Sequence, residues 1–384
     1  MGMNSKIIIF RALMPRLEAR LFKGKAVIVL GPRQAGKTTL IRELLARTEE
    51  TYLFLNADEP DVRDLLTNAT STRLRTIIGD HRLFCVDEAQ RIPNIGLTLK
   101  LITDQLPEIQ VIATGSSSLE LNSTIAEPLT GRKYEFVLPP LSFSELAAEH
   151  GFIEERRFLE HRMVYGSYPE IVTSPGHEAE LVKLLAGSYL FKDLLILEGI
   201  KKPALLENIV KALALQLGSE VSFHEIGQLT GADSHTVERY IDLLEKAFVV
   251  FRLPAYSRNV RNEIKKGKKI YFLDNGIRNA VIGNFLPLTH RTDTGALWEN
   301  YLISERLKLR NNAGVEGSGF FWRTSQQQEI DYIEEQSGSL SAFEFKWSAG
   351  KRGVRFSKTF TRAYPNARTQ VITPADYEAF LQEP

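Results

Sequence analysis

The sequence predicts an α/β protein: a parallel sheet covered by helices comes first, and helical and then mixed strand-and-helix segments follow it. Three observations predict this. Short apolar runs alternate with helix-period segments between Ala26 and Ala113, which is the pattern of a parallel sheet covered on both faces. The first of those runs stops at a glycine loop that opens a helix. After Pro139-Pro140 the alternation gives way to a long helical stretch.

The elements follow in order. Residues 1 to 22 read as a helical lead-in, with Leu13, Leu17 and Leu21 recurring. Ala26-Val27-Ile28-Val29-Leu30 is a short, wholly apolar run, as expected of a strand buried on both faces. A helix begins near Lys37, with Leu40, Ile41, Leu44 and Leu45 on one face. Tyr52–Leu55, Leu83–Val86 and Gln110–Ala113 are further strands, and Asp61–Thr67 and Leu97–Leu106 are helices. Residues 142 to 200 read as helices broken at Gly166-Ser167-Tyr168-Pro169. The expected domains are 1–140, 141–202, 203–262 and 263–384.

Bulk properties exclude several classes. A chain of 384 residues suggests two or three domains. The net charge of +1 gives no whole-chain attraction for nucleic acid or membrane. A single cysteine, Cys85, rules out an internal disulfide and a cysteine-based zinc site. No run of about 20 apolar residues exists, so no membrane span is expected. Ile7-Ile8-Ile9-Phe10 is too short for a secretory signal and is followed by Arg11. A cytoplasmic protein without a membrane partner is expected.

Gly31-Pro32-Arg33-Gln34-Ala35-Gly36-Lys37-Thr38-Thr39 carries the pattern G-x-x-x-x-G-K-[ST] between a strand and a helix. Glycines let the backbone curl, its N–H groups turn inward, and the helix N-terminus adds positive potential, all of which favours phosphate. The expected ligands are ATP and Mg2+, with Lys37 on the β- and γ-phosphates and the Thr38 hydroxyl on the metal. Asp87, at the end of the third strand, is expected to hold magnesium, and the adjacent Glu88 to activate the attacking water. Ser116, beyond the fourth strand, offers a hydroxyl near the γ-phosphate in a sensor role, with a plain loop and an N-capping serine as the alternative. Arg132 reads either as an arginine finger for a neighbouring copy, which would imply a homo-oligomer, or as a surface arginine.

Taken as an ordered series, Gly31–Leu40, Val86-Asp87-Glu88-Ala89-Gln90, Thr114–Ser118, Leu129-Thr130-Gly131-Arg132 and Pro140–Glu145 resemble one group. It is the prokaryotic AAA+-type ATPases with a C-terminal nuclease-like domain. The resemblance implies an ATPase core, a helical lid, a winged helix and a restriction-endonuclease-like fold.

The middle segment supports a helix–turn–helix reading independently. His224–Leu229 and Ser234–Lys246 are helices flanking Gly231-Ala232-Asp233, and Phe248–Leu253 is a wing strand. Between Arg252 and Lys269 stand seven cations against Glu263 alone. That segment is the expected DNA footprint, with a solvated hairpin tip as the alternative.

In the C-terminal segment, Glu299 lies on a helix, Asp331 on a strand, and Glu344 and Lys346 on one face of another strand. The set resembles the PD-(D/E)XK nucleases. This implies Asp331 and Glu344 as metal ligands, Glu299 in support, and Lys346 beside the attacking water. Ile330 stands where the literal motif has proline. The functional expectation is an ATP-driven switch controlling a DNA-binding, nuclease-like module. The alternative is a nucleotide-dependent signalling or scaffold protein with an inactive nuclease fold.

Overall fold

The computed structural model describes residues 8–116, 129–190, 202–256, 267–324, 326–348 and 356–383. The chain forms two compact units, one made chiefly of residues up to Leu141 and the other chiefly of residues from Ser142 onward.

The first unit is a five-stranded sheet with helices α1 (Met14–Glu18), α2 (Lys37–Arg47), α3 (Pro60–Leu66), α4 (Ser71–Ile78) and α5 (Ile95–Gln105). Its strands are β1 (Ala26–Leu30), β2 (Tyr52–Asn56), β3 (Leu83–Asp87), β4 (Gln110–Gly115) and β5 (Lys133–Val137), in the order β2-β3-β4-β1-β5. All neighbours are parallel. Strands β1, β3 and β4 are buried at every residue, which explains their unbroken apolar runs. One apolar layer joins Ile28, Phe84 and Val111 to α5. The other joins Val27, Val29 and Ile112 to α1 and α2. The lead-in helix is shorter than expected, and Phe22 and Gly24 beyond it take positive φ. Because β4 lies between β1 and β3, the glycine loop, the Asp87-Glu88 pair and Gly115-Ser116 end side by side at the carboxyl edge of the sheet, where parallel sheets bind ligands.

The second unit opens with α6 (Phe143–His150), α7 (Phe152–Arg157), α8 (Leu159–Tyr165), α9 (Pro169–Val172) and α10 (Glu178–Leu184), followed by a π-helical turn over Leu185–Leu190. Ser142 starts α6 with a capping box, exchanging hydrogen bonds with Glu145. Helices α11 (Pro203–Leu215), α12 (Phe223–Thr230) and α13 (Ser234–Lys246) accompany a small antiparallel sheet. Its order is β6-β8-β7, with β6 at Glu220–Val221, β7 at Val250–Pro254 and β8 at Lys268–Phe272. The β7–β8 ladder spans the boundary expected between 262 and 263.

Helices α14 (Asn275–Ile282) and α15 (Thr294–Ala313) lead to a mixed sheet of order β12-β11-β10-β9. Its strands are β9 (Ser318–Arg323), β10 (Glu329–Gln336), β11 (Ser339–Phe345) and β12 (Arg368–Ile372). Helix α16 (Lys358–Ala363) precedes β12, and α17 (Tyr377–Gln382) follows it. β10 pairs antiparallel with β9 and β11, and β12 runs parallel to β11. The β9–β10 register slips between Ile330 and Ile333, the stretch that holds Asp331. Among the described residues no helix is long and apolar enough to cross a membrane.

Candidate functional site

The glycine loop is shaped by crowding at one end and by left-handed backbone further along. A Cβ on Gly31 would lie 2.2 Å from the Leu138 carbonyl oxygen, so only glycine lets β1 turn there. Gln34 and Gly36 have φ of 60° and 95°, and Gly36 caps the N-terminus of α2. Pro32 and Ala35 are buried, Arg33 and Thr38 half-buried, and Thr39 exposed. The Lys37 ammonium is buried and donates to the carbonyl oxygens of Gly31 and Pro32, each at 3.0 Å. It therefore stands over the loop it belongs to.

Across from the loop, Thr38 Oγ1 donates to Asp87 Oδ2 at 2.7 Å. The other Asp87 oxygen accepts from the Thr114 hydroxyl on β4, and Thr114 Oγ1 accepts the Glu88 N–H at 3.2 Å. Glu88 takes a left-handed φ of 52° and receives Gln90 Nε2 at 2.5 Å. Gln90 Nε2 also reaches Ser116 Oγ at 3.1 Å. The expected residues Thr38, Asp87, Glu88 and Ser116 thus meet in one polar array, to which Thr114 and Gln90 add links that the sequence reading did not assign, while the Lys37 ammonium stays on the carbonyls of its own loop. A hydroxyl and a carboxylate at hydrogen-bond distance are an all-oxygen donor pair, which fits magnesium. Arg132 lies apart, exposed and ion-paired to Asp104 at 2.6 Å. Cys85, buried in β3, has its thiol pushed up to about 12 by burial, so it is an inert core side chain.

The second unit carries a separate charged cluster. Carboxylate oxygens of Glu299 on α15 and of Glu329 and Asp331 on β10 lie within 4.8 Å of one another. This group differs from the expected metal ligands Asp331 and Glu344: Glu329 belongs to it and Glu344 does not. Glu344 instead accepts Lys346 Nζ at 2.7 Å, and the same ammonium lies 3.4 Å from Asp331. Asp331 is oriented by the Phe345 N–H at 2.7 Å. Lys269, 1% exposed, places its ammonium 3.0 Å from Glu299 and also against Glu329. Tyr271 donates to Glu299 at 2.5 Å.

Burial pushes the Glu299 carboxyl up to about 7, the Lys269 charge opposing it and the Asp331 charge adding to it. Burial and the Asp331 charge raise Glu344. Burial works against the Lys269 ammonium, but Glu299 and Glu329 outweigh it and raise its pKa. The oxygen donors suit a hard cation, yet a fixed ammonium already pairs with two of the three acids.

Lys269 also corrects the expected DNA footprint. It is a buried ion-pair partner, not a surface cation. Arg252 is held by Asp242 and Glu245 on α13. Arg258, Arg261, Glu263, Lys265 and Lys266 lie outside the described residues, as do Ser117 and Ser118 beyond β4.

Comparison with known proteins agrees with the first unit. Residues 23–147 match the model of a AAA domain. The matched segment contains the glycine loop, the Asp87-Glu88 pair and all five parallel strands of the first sheet. Residues 156–287 and 294–383 match two domains of unknown function (DUF8612 and DUF4143). An uncharacterised protein of Mycobacterium tuberculosis is 27% identical over 96% of this chain and 80% of its own length. One from Haemophilus influenzae is 26% identical over 67% of this chain and 69% of its own. Among solved structures, a Walker-type ATPase of Pyrococcus abyssi aligns with a TM-score of 0.49 at 16% identity, covering 72% of this chain and 96% of that one.

Proposed function

We propose that this chain is a magnesium-dependent ATPase whose bound nucleotide switches the state of its C-terminal half. The observation that carries the reading is the 2.7 Å contact between Asp87 and Thr38, the residue that ends the glycine-loop motif. It sets a metal-binding oxygen pair against a phosphate-binding loop. Residues Gly31 to Thr39 would wrap the phosphates, with Lys37 neutralising charge on the terminal ones. Thr38 and Asp87 would hold magnesium, which supplies charge neutralisation at the phosphates. Glu88 would orient and deprotonate water, and Ser116 would face the γ-phosphate. Arg132 serves a neighbouring copy only if its pair with Asp104 opens. The test is phosphate release from ATP with and without magnesium; Asp87→Ala should abolish the metal-dependent part, and release unaffected by Asp87→Ala contradicts the assignment.

For the C-terminal half, the convergence of Asp331, Glu344 and Lys346 supports a PD-(D/E)XK-like site acting on DNA, with α12 and α13 as a winged helix beside it. The four-part division into core, lid, winged helix and nuclease-like domain belongs to this reading. A specific observation favours the second reading, a scaffold or signalling module with a retired site: Lys269 already occupies the space between Glu299 and Glu329 as their ion-pair partner. Plasmid cleavage with magnesium or manganese separates the two. Cleavage lost in Asp331→Ala supports the nuclease, and absence of cleavage by wild type, with or without ATP, supports the scaffold.

A further inference from the structure

We infer that Arg11 is a positioning residue for the nucleotide loop and sets ATP affinity from behind it. The inference rests on the ATPase reading above and extends it to a side chain outside the loop motif.

Arg11 precedes α1 and is only 6% exposed. One guanidinium nitrogen, Nη1, donates to the Ala35 carbonyl oxygen at 2.7 Å. The other, Nη2, donates to the Pro139 carbonyl oxygen at 2.6 Å. The two acceptors lie 24 and 128 positions away in the chain, so a single fork ties the loop to the segment following β5.

The consequence follows from peptide geometry. In a planar trans peptide the C=O and the next N–H point in opposite directions. Holding the Ala35 carbonyl against Arg11 therefore turns the Gly36 N–H away from Arg11, toward the side assigned to phosphate. Gly36 caps α2 with φ of 95°, a conformation from which its peptide could otherwise rotate at little cost. A loop that binds phosphate through N–H groups loses affinity when one of them turns, because an oxygen then faces the anion. The same β5 extension crowds Gly31, whose Cβ would meet Leu138. The loop is thus fixed at its first glycine by contact and at Ala35 through the guanidinium. A planar fork can serve two carbonyls at once, and a lysine ammonium holds such a pair less rigidly.

Arg11 grips the loop through a backbone carbonyl, so its loss should weaken ATP binding more than turnover. The experiment measures KM and kcat for Mg·ATP hydrolysis in wild type, Arg11→Ala and Arg11→Lys, with thermal melting as a folding control. KM is expected to rise about 10- to 100-fold in Arg11→Ala, with a smaller rise in Arg11→Lys and kcat changed far less. Millimolar guanidinium should lower the KM of Arg11→Ala and leave Lys37→Ala inactive. A folded Arg11→Ala protein with wild-type KM overturns the inference, as does a fall confined to kcat. If Arg11→Ala does not fold, wild-type KM in Arg11→Lys overturns it in the same way. Failure of wild type to bind or hydrolyse Mg·ATP would instead remove the ATPase reading itself.

Discussion

Gln90 holds the Glu88 carboxylate: its side-chain nitrogen stands 2.5 Å from Glu88 Oε2 and bridges onward to Ser116. The residue assigned to water activation is therefore aimed at the end of β4. Replacing Glu88 by Gln keeps the shape and removes the base. Turnover should fall about 10²- to 10⁴-fold with ATP affinity nearly unchanged. Gln90→Ala keeps the base and loses its orientation, so a smaller loss, about tenfold, is expected. Steady-state phosphate release combined with nucleotide-binding calorimetry distinguishes the two effects.

Asp87 accepts hydroxyls from both Thr38 and Thr114 and is 4% exposed. Asp87→Ala leaves two hydroxyls without their acceptor. The first unit should lose about 1–3 kcal/mol of stability, read as a lower denaturant midpoint. Magnesium should then no longer strengthen ATP binding.

The glycine at the end of β1 is a steric requirement. In Gly31→Ala the new methyl would sit 2.2 Å from the Leu138 oxygen. The loop must shift off β5, costing about 1–3 kcal/mol by overpacking. Nucleotide binding should fall together with thermal stability, read by calorimetry and thermal melting.

These residues were legible in the sequence to very different degrees. Gly31 to Thr38 and Asp87-Glu88 are short contiguous strings at the ends of apolar runs, so spacing alone placed them at strand tips. Strand β5 was missed because Lys133-Tyr134-Glu135-Phe136-Val137 lies at the sheet edge and is only partly buried; it shows no apolar run, and its alternation lasts only from Lys133 to Phe136. Helix α4 (Ser71–Ile78) was missed as well, although Leu74 and Ile78 are buried at helical spacing. Arg11 carried no local signal, since its acceptors are backbone carbonyls far along the chain. Lys269 looked like one more cation in a basic run. Its burial depends on β8 pairing beside α15 and β10, a long-range arrangement that composition cannot report.

The Lys269 cluster gives a pH prediction with a definite sign. Glu299 is held up to about 7, above its ordinary 4.5. The folded state therefore binds more proton than the unfolded state between these values, and the Glu299 contribution to stability declines as pH rises from about 4.5 to about 7. Glu299→Gln should flatten that part of the curve of denaturant midpoint against pH. Lys269→Met strands two acids and should cost about 3–5 kcal/mol at neutral pH. Adding Glu299→Gln to it should recover part of the loss.

The central claim is that the loop from Gly31 to Thr38 works with Asp87 on a magnesium-bound nucleotide. It is tested most directly by phosphate release from ATP, measured with and without magnesium in wild type and Lys37→Ala. The account predicts release by wild type only when magnesium is present, and none above background for Lys37→Ala. Equal release by the two proteins, or no release by wild type under any condition, would contradict it.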